Sequence, residues 1–81
     1  MISNPAFRPL ITELVGLYFD RGINERFDSV ADLGLKAINS KGSDSATNTD
    51  LAHAARQAGQ AERNADLIRV AEIAEALAAL A

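Results

Sequence analysis

Apolar residues recur at spacings of three and four along the first quarter of the chain. From Pro9 to Asp20 they form one wide stripe, which consists of Leu10, Ile11, Leu14, Val15, Leu17, Tyr18 and Phe19. This spacing is typical of a helix that buries one face. The first helix is therefore predicted over Pro9 to Asp20, with Ser3-Asn4-Pro5 as an alternative start and Gly22 as a left-handed cap.

A second helix is predicted to begin between Asn24 and Ser29 and to end between Asn39 and Gly42. Asp28 or Ser29 is expected to cap its first N–H groups. Its apolar face contains Phe27, Val30, Ala31, Gly34, Leu35 and Ile38. Glycine inside a helix costs up to about 1 kcal/mol relative to alanine, so Gly34 predicts a closely crossing neighbour at that point.

Residues 40–49 are almost entirely polar and are predicted to form a flexible loop. Their side chains compete with helix formation by bonding to nearby backbone groups. Thr47 with Asp50, or Thr49 alone, is expected to cap a third helix that begins near Leu51.

The rest of the chain is rich in alanine and favours helix. A break at Gly59 or Asn64 would give two helices, Leu51 to Ala58 and Ala65 to Ala81, and we favour this alternative. A continuous helix of about thirty residues would be about 45 Å long and would imply a dimer. Rows such as Ala54, Ala58, Ala61 and Ala65 suit close packing, either within the chain or against a partner.

The last helix carries an apolar row that we call the C-terminal seam, formed by Val70, Ile73, Leu77 and Leu80. Its 3-4-3 spacing is typical of the contact line of a left-handed helix pair. Residues 76–81 carry no polar side chain at all. We therefore expect this end to be docked, and the C-terminal seam is the predicted partner interface.

These elements predict an all-α protein, a small bundle of about four helices. The first two are bulky and apolar, and the last one or two are alanine-rich. Residues 1–81 are expected to form one domain of marginal stability, because a chain this small buries little surface. Cysteine is absent, so disulfides cannot stabilise the domain. Self-association and unusually good helix packing remain as sources of additional stability.

Charge and composition limit the range of partners and cellular locations that can be expected. The net charge is -3, and the eight basic residues are scattered among eleven acidic ones, which disfavours nucleic acid. The sequence shows neither a signal-peptide pattern nor an apolar run that would span a bilayer. We expect a bacterial-type cytoplasmic protein that does not bind membranes.

Residues with catalytic or metal-binding chemistry are few. His53 lies three residues after Asp50, and Asp28 with Asp32, or Glu72 with Glu75, would share a helix face. Surface exposure, capping and solvation explain all of them. No catalytic, cofactor-binding or metal-binding residue is predicted, and no enzyme activity is expected.

Leu10 to Ile38 resembles the second half of acyl carrier proteins in its Glu13-Leu14-Val15, Gly22-Ile23 and Phe27-Asp28-Ser29-Val30-Ala31-Asp32-Leu33 segments. That family carries its prosthetic group on a serine in an Asp-Ser-Leu motif, and no such motif precedes Leu10. Phe27 to Ile38 is also similar to the middle of ribbon-helix-helix regulators, which place a strand where a helix is predicted here. We assign the chain to neither family.

The predicted function is non-enzymatic protein association or assembly, as a homodimer through the C-terminal helix, with a second protein as a further candidate partner. The first alternative is a DNA-binding helix-turn-helix around Gly22 or Gly59, flanked by Arg21 and Arg26 or by Arg56 and Arg63. The second is a degenerate acyl-carrier-like domain, in which Ser29 would be the serine to examine for modification.

Overall fold

A computed structural model describes residues 5–81 of the chain. This part folds into five α-helices: α1 (Phe7–Val15), α2 (Ile23–Arg26), α3 (Asp28–Asn39), α4 (Ser45–Glu62) and α5 (Ala65–Leu80). One π-helical turn, Gly16–Asp20, extends α1. The predicted small all-α bundle is confirmed.

The first helix begins two residues earlier than predicted and changes pitch before it ends. The alternative start at Ser3 and Asn4 lies outside the described residues. The chain then turns at Gly22, whose φ of 81° is the predicted left-handed conformation. The short helix α2 follows, and it was not separated from α3 in the prediction.

Helix α3 spans the predicted region, but its predicted cap is wrong. Phe27, in extended conformation, occupies the capping position and offers no side-chain oxygen. Asp28 instead lies inside the first turn, where its charge suits the positive end of the helix dipole. The helix therefore begins where the extended backbone of Phe27 forces a new direction.

Gly34 is the point at which α3 and the π-helical turn cross, as its position in the sequence predicted. A Cβ added at Gly34 would overlap the ring of Tyr18. The buried Tyr18 hydroxyl donates a 2.7 Å hydrogen bond to the Val30 carbonyl one turn earlier on α3. The absence of a side chain at Gly34 therefore makes room for the largest buried residue of the core.

The predicted loop over residues 40–49 is too long, because α4 begins at Ser45 rather than near Leu51. Asp44 caps this helix by accepting from the Thr47 backbone N–H at 3.2 Å and from its hydroxyl at 2.9 Å. Thr47 and Thr49 are therefore residues of the helix and do not cap it. The remaining turn is tied to the bundle, because the buried Asn48 amide donates a 2.9 Å hydrogen bond to the Gly42 carbonyl.

Helices α4 and α5 form an antiparallel hairpin that breaks at Asn64, one of the two predicted positions. The Asn64 side chain accepts a 3.0 Å hydrogen bond from the Leu67 N–H and so caps α5. Gly59 continues α4, and Ile68 of α5 packs so closely that a Cβ at Gly59 would lie 2.6 Å from its Cδ1. Small residues thus let the two backbones approach.

A single core cluster receives side chains from every helix. Its fully buried members include Leu14, Ile23, Val30, Leu51 and Leu67. The bulky residues of the first half thus pack directly against the alanine-rich hairpin. No helix within residues 5–81 is long and apolar enough to cross a bilayer.

Candidate interaction surface

The C-terminal seam, predicted as the partner interface, is not a free surface of this chain. Val70, Ile73 and Leu77 are fully buried in the core of the same chain. Leu80 alone keeps an exposed fraction of 37 %. The apolar periodicity of the seam marks a buried face, and other elements of the same chain cover it, above all α4 with a smaller contribution from α1.

Two of the three exposed large apolar residues in the described part of the chain lie instead on the first helix and its π-helical extension. Phe19 has an exposed fraction of 53 % and Val15 of 36 %, and Ile11 is partly buried. These three residues follow one another at intervals of four, so they form one line along α1 and the π-helical turn. We call Ile11, Val15 and Phe19 the α1 surface.

Phe19 lies in the π-helical turn, and its side chain is exposed. The Arg21 N–H donates to the Gly16 carbonyl five residues earlier, at 3.1 Å, which widens the turn. Leu17 and Tyr18 are buried there, whereas Phe19 points to solvent. Single π-helical turns are frequent at functional sites. The predicted apolar stripe is thus divided into a buried part and an exposed part.

An open groove of about 660 Å³ adjoins the α1 surface between α1 and the end of α3. Its walls are formed by Pro5, Phe7, Arg8, Ile11, Thr12, Ile38 and Lys41. The two charged residues among these are cations, although the chain as a whole is acidic. The groove therefore combines an apolar wall with a positive rim.

Three arginines are engaged in ion pairs that join separate helices or helical turns. Arg69 of α5 contacts Glu13 of α1 at 2.6 Å through paired hydrogen bonds, and these hold the pKa of Glu13 below its usual value. Arg56 contacts Glu75 at 2.6 Å, and Arg21 contacts Asp66 at 2.8 Å. In the part of the chain that the structure describes, Arg8, Lys41 and Asp20 have no such ion pair.

The geometry does not favour the helix-turn-helix alternative. Gly59 lies inside α4, so no turn forms there. At the Gly22 turn, Arg21 is paired with Asp66, and the Arg26 guanidinium lies 5.0 Å from the Phe27 ring centre. A phosphate backbone would have to compete with these contacts for both cations.

The other candidate residues do not converge on a site. His53 and Asp50 are both exposed on α4, and Asp28 with Asp32 are exposed on α3. Glu72 and Glu75 contact Arg69 and Arg56 respectively. Within residues 5–81, no group of three or more histidine, cysteine or carboxylate side chains has the arrangement of a metal site.

Comparison with protein-family models, with curated proteins and with solved structures finds no match to this chain. The region with the two sequence resemblances corresponds to α1 through α3. Helical structure, the π-helical turn and α2, stands directly before Phe27, where a ribbon-helix-helix protein would have its strand. Ser29 is exposed in the first turn of α3, beside Asp28.

Proposed function

We propose that this protein is a non-enzymatic association module that forms a homodimer through the α1 surface. The observation that carries the proposal is the line of Ile11, Val15 and Phe19, of which Val15 and Phe19 are exposed and Ile11 is partly buried, beside a groove with an apolar wall. Single exposed apolar residues are ordinary on protein surfaces, but an aligned set next to a concave apolar wall is typical of interaction sites.

Energetics support the same conclusion. Full burial of an exposed phenylalanine side chain contributes about 1.5–3 kcal/mol. Phe19 has an exposed fraction of 53 %, so its burial would contribute roughly half of that energy. In a two-fold symmetric dimer each contact occurs twice, so the contribution of one such residue is doubled. A domain of this size has little stability of its own to spare, and dimerisation adds to it by mass action.

The proposal includes a cytoplasmic, bacterial-type setting. The absence of cysteine fits a reducing compartment, where disulfides are not used to reinforce small domains. Association through an apolar helix face would supply the reinforcement instead.

Light scattering over a concentration series tests the proposal with two matched variants. Phe19→Asp places a charge on the α1 surface and should reduce the mass to that of a monomer. Leu80→Asp places the same charge at the exposed end of the C-terminal seam and should leave the dimer intact. Both residues are exposed, so circular dichroism should show a folded protein in each case.

The opposite pattern would overturn the choice of surface. If Leu80→Asp dissociates the dimer and Phe19→Asp does not, the C-terminal helix is the interface. If the unmodified protein scatters as a monomer at every concentration, the homodimer itself is wrong.

A further inference from the structure

We infer that α1 pairs with α1 of a second copy in antiparallel orientation, so that Phe19 of each subunit enters the α1–α3 groove of the other. This inference rests on the proposed function and adds its register and orientation. The side chain that occupies the groove is thus the Phe19 ring of the second copy.

The spacing of the α1 surface is symmetric about Val15. Ile11 lies four residues before Val15, and Phe19 lies four residues after it. A two-fold axis that passes at Val15, perpendicular to the helix, therefore brings each Ile11 opposite the partner's Phe19. Ile11 is also a wall of the groove, so the same operation places the phenyl ring at its opening.

The two ends of the α1 surface differ in shape. The end near Ile11 is concave, because Phe7, Ile38 and Lys41 surround it. The end near Phe19 is convex, because more than half of that side chain is exposed. An antiparallel pair fits each convex end to a concave one, whereas a parallel pair would place the two rings together and leave both grooves open.

The charges at the two ends favour the same orientation. Arg8 and Lys41 border the groove. Asp20 is exposed next to Phe19, with one carboxylate oxygen 3.9 Å from the position that a Cβ would take at Gly16. Antiparallel pairing brings each Asp20 toward the partner's cations, and parallel pairing would bring like charges together. Such charges select the orientation more than they add affinity.

Disulfide trapping tests the register, because the natural chain contains no cysteine. Val15→Cys, on the axis, should form a covalent dimer under mild oxidation. Phe19→Cys alone should not, because two copies of this position would be about 12 Å apart at 1.5 Å per residue, well beyond the reach of a disulfide. A mixture of Ile11→Cys and Phe19→Cys chains should give the mixed dimer.

The outcomes separate this inference from the proposed function. If Phe19→Cys chains cross-link to themselves, the helices are parallel and the inference is overturned, while the homodimer through α1 stands. If the protein is a dimer by light scattering but none of these pairs cross-links, both the register and the α1 surface are wrong. Circular dichroism of each variant confirms that the chain remains folded.

Charge exchange gives a second measurement that does not depend on thiol chemistry. Arg8→Glu and Asp20→Arg should each weaken the homodimer, by about fivefold in Kd. An equimolar mixture should restore association, because in the mixed dimer one contact pairs the two exchanged charges and the other pairs the natural Asp20 and Arg8, so both contacts are attractive. If the mixture associates no better than the separate variants, Asp20 does not face the partner's Arg8 and the antiparallel arrangement is wrong.

Discussion

The alanine-rich hairpin and the bulky first half of this protein use their apolar residues in opposite ways. In α5, six residues are completely buried: Leu67, Val70, Ala71, Ile73, Ala74 and Leu77. In the first half, where the largest side chains are found, Val15 and Phe19 remain exposed. The first half thus contributes two of the three exposed large apolar residues in the described part of the chain, and α5 contributes Leu80.

Side-chain size explains this difference. Small residues in α4 let α5 approach until Ile68 meets the backbone at Gly59, so little surface is left uncovered between the helices. Bulky residues on one side of a small core cannot all fit inside it. The wide turn at Gly16–Asp20 accommodates Leu17 and Tyr18 and leaves Phe19 outside. An association surface is therefore expected where large residues exceed the available core volume.

The largest effect is expected from Leu77→Asp in the hairpin. Leu77 is fully buried, and its Cδ2 would lie 2.8 Å from a Cβ at Gly42. The change combines the loss of a core leucine, about 2–5 kcal/mol, with an unpaired buried charge. Together they should exceed the stability of so small a domain. Far-UV circular dichroism should show an unfolded chain. A cooperative thermal transition close to the melting temperature of the unmodified protein would show that Leu77 is not part of the core.

A smaller loss is expected from Gly34→Ala in the first half. The added methyl group would overlap the Tyr18 ring, and overpacking of this kind costs about 1–3 kcal/mol. Gly59→Ala is the matched change in the hairpin, where a Cβ would lie 2.6 Å from Ile68 Cδ1 and 3.0 Å from the Ile68 backbone nitrogen, a less severe overlap than that with the Tyr18 ring. Chemical denaturation should show a larger loss for Gly34→Ala. Equal losses would mean that both halves tolerate added volume equally.

The smallest effect concerns the ion pair between the two halves. Hydrogen bonding from Arg69 lowers the pKa of Glu13 in the folded state. The stability from this pair is therefore present at neutral pH and is lost as the pH falls through that lowered value. Both partners are more than one-third exposed, so solvent screening keeps this contribution small.

Denaturation at neutral and acidic pH measures this contribution. Glu13→Gln should reduce stability at neutral pH and have a smaller effect in acid, where the carboxylate of the unmodified protein is protonated. Glu62→Gln, at the exposed end of α4, provides a control for the loss of one negative charge. If the two variants behave alike, the Glu13–Arg69 contact adds nothing to the attachment of α1 to α5.

Helix positions and the close approach at Gly34 were predictable because they depend on local spacing and on the space around a residue without a side chain. The 40–49 loop was overextended because Asp44, not Thr47 or Thr49, caps α4, and because Asn48 is buried despite its polarity. Sequence composition does not show which polar residue will find a backbone partner after folding.

The candidate interface was predictable only in part. The periodicity of Val70, Ile73 and Leu77 identified an apolar face, but it did not identify the element that covers that face. Phe19 lies on the same edge of the apolar stripe as Val15, and a regular spacing of apolar residues does not show which edge of a wide stripe stays exposed. Locating the surface therefore required the three-dimensional packing of both halves.

The contact between Tyr18 and α3 also makes the two halves optically distinguishable. The chain has one tyrosine and no tryptophan, so near-ultraviolet absorbance and intrinsic fluorescence from its phenol report on the crossing at Gly34. Far-ultraviolet ellipticity instead comes mainly from the long helices α4 and α5. Burial raises the pKa of Tyr18, so phenolate absorbance in alkali should emerge only as the ring is released. Coincident transitions by both signals would establish that the halves melt together.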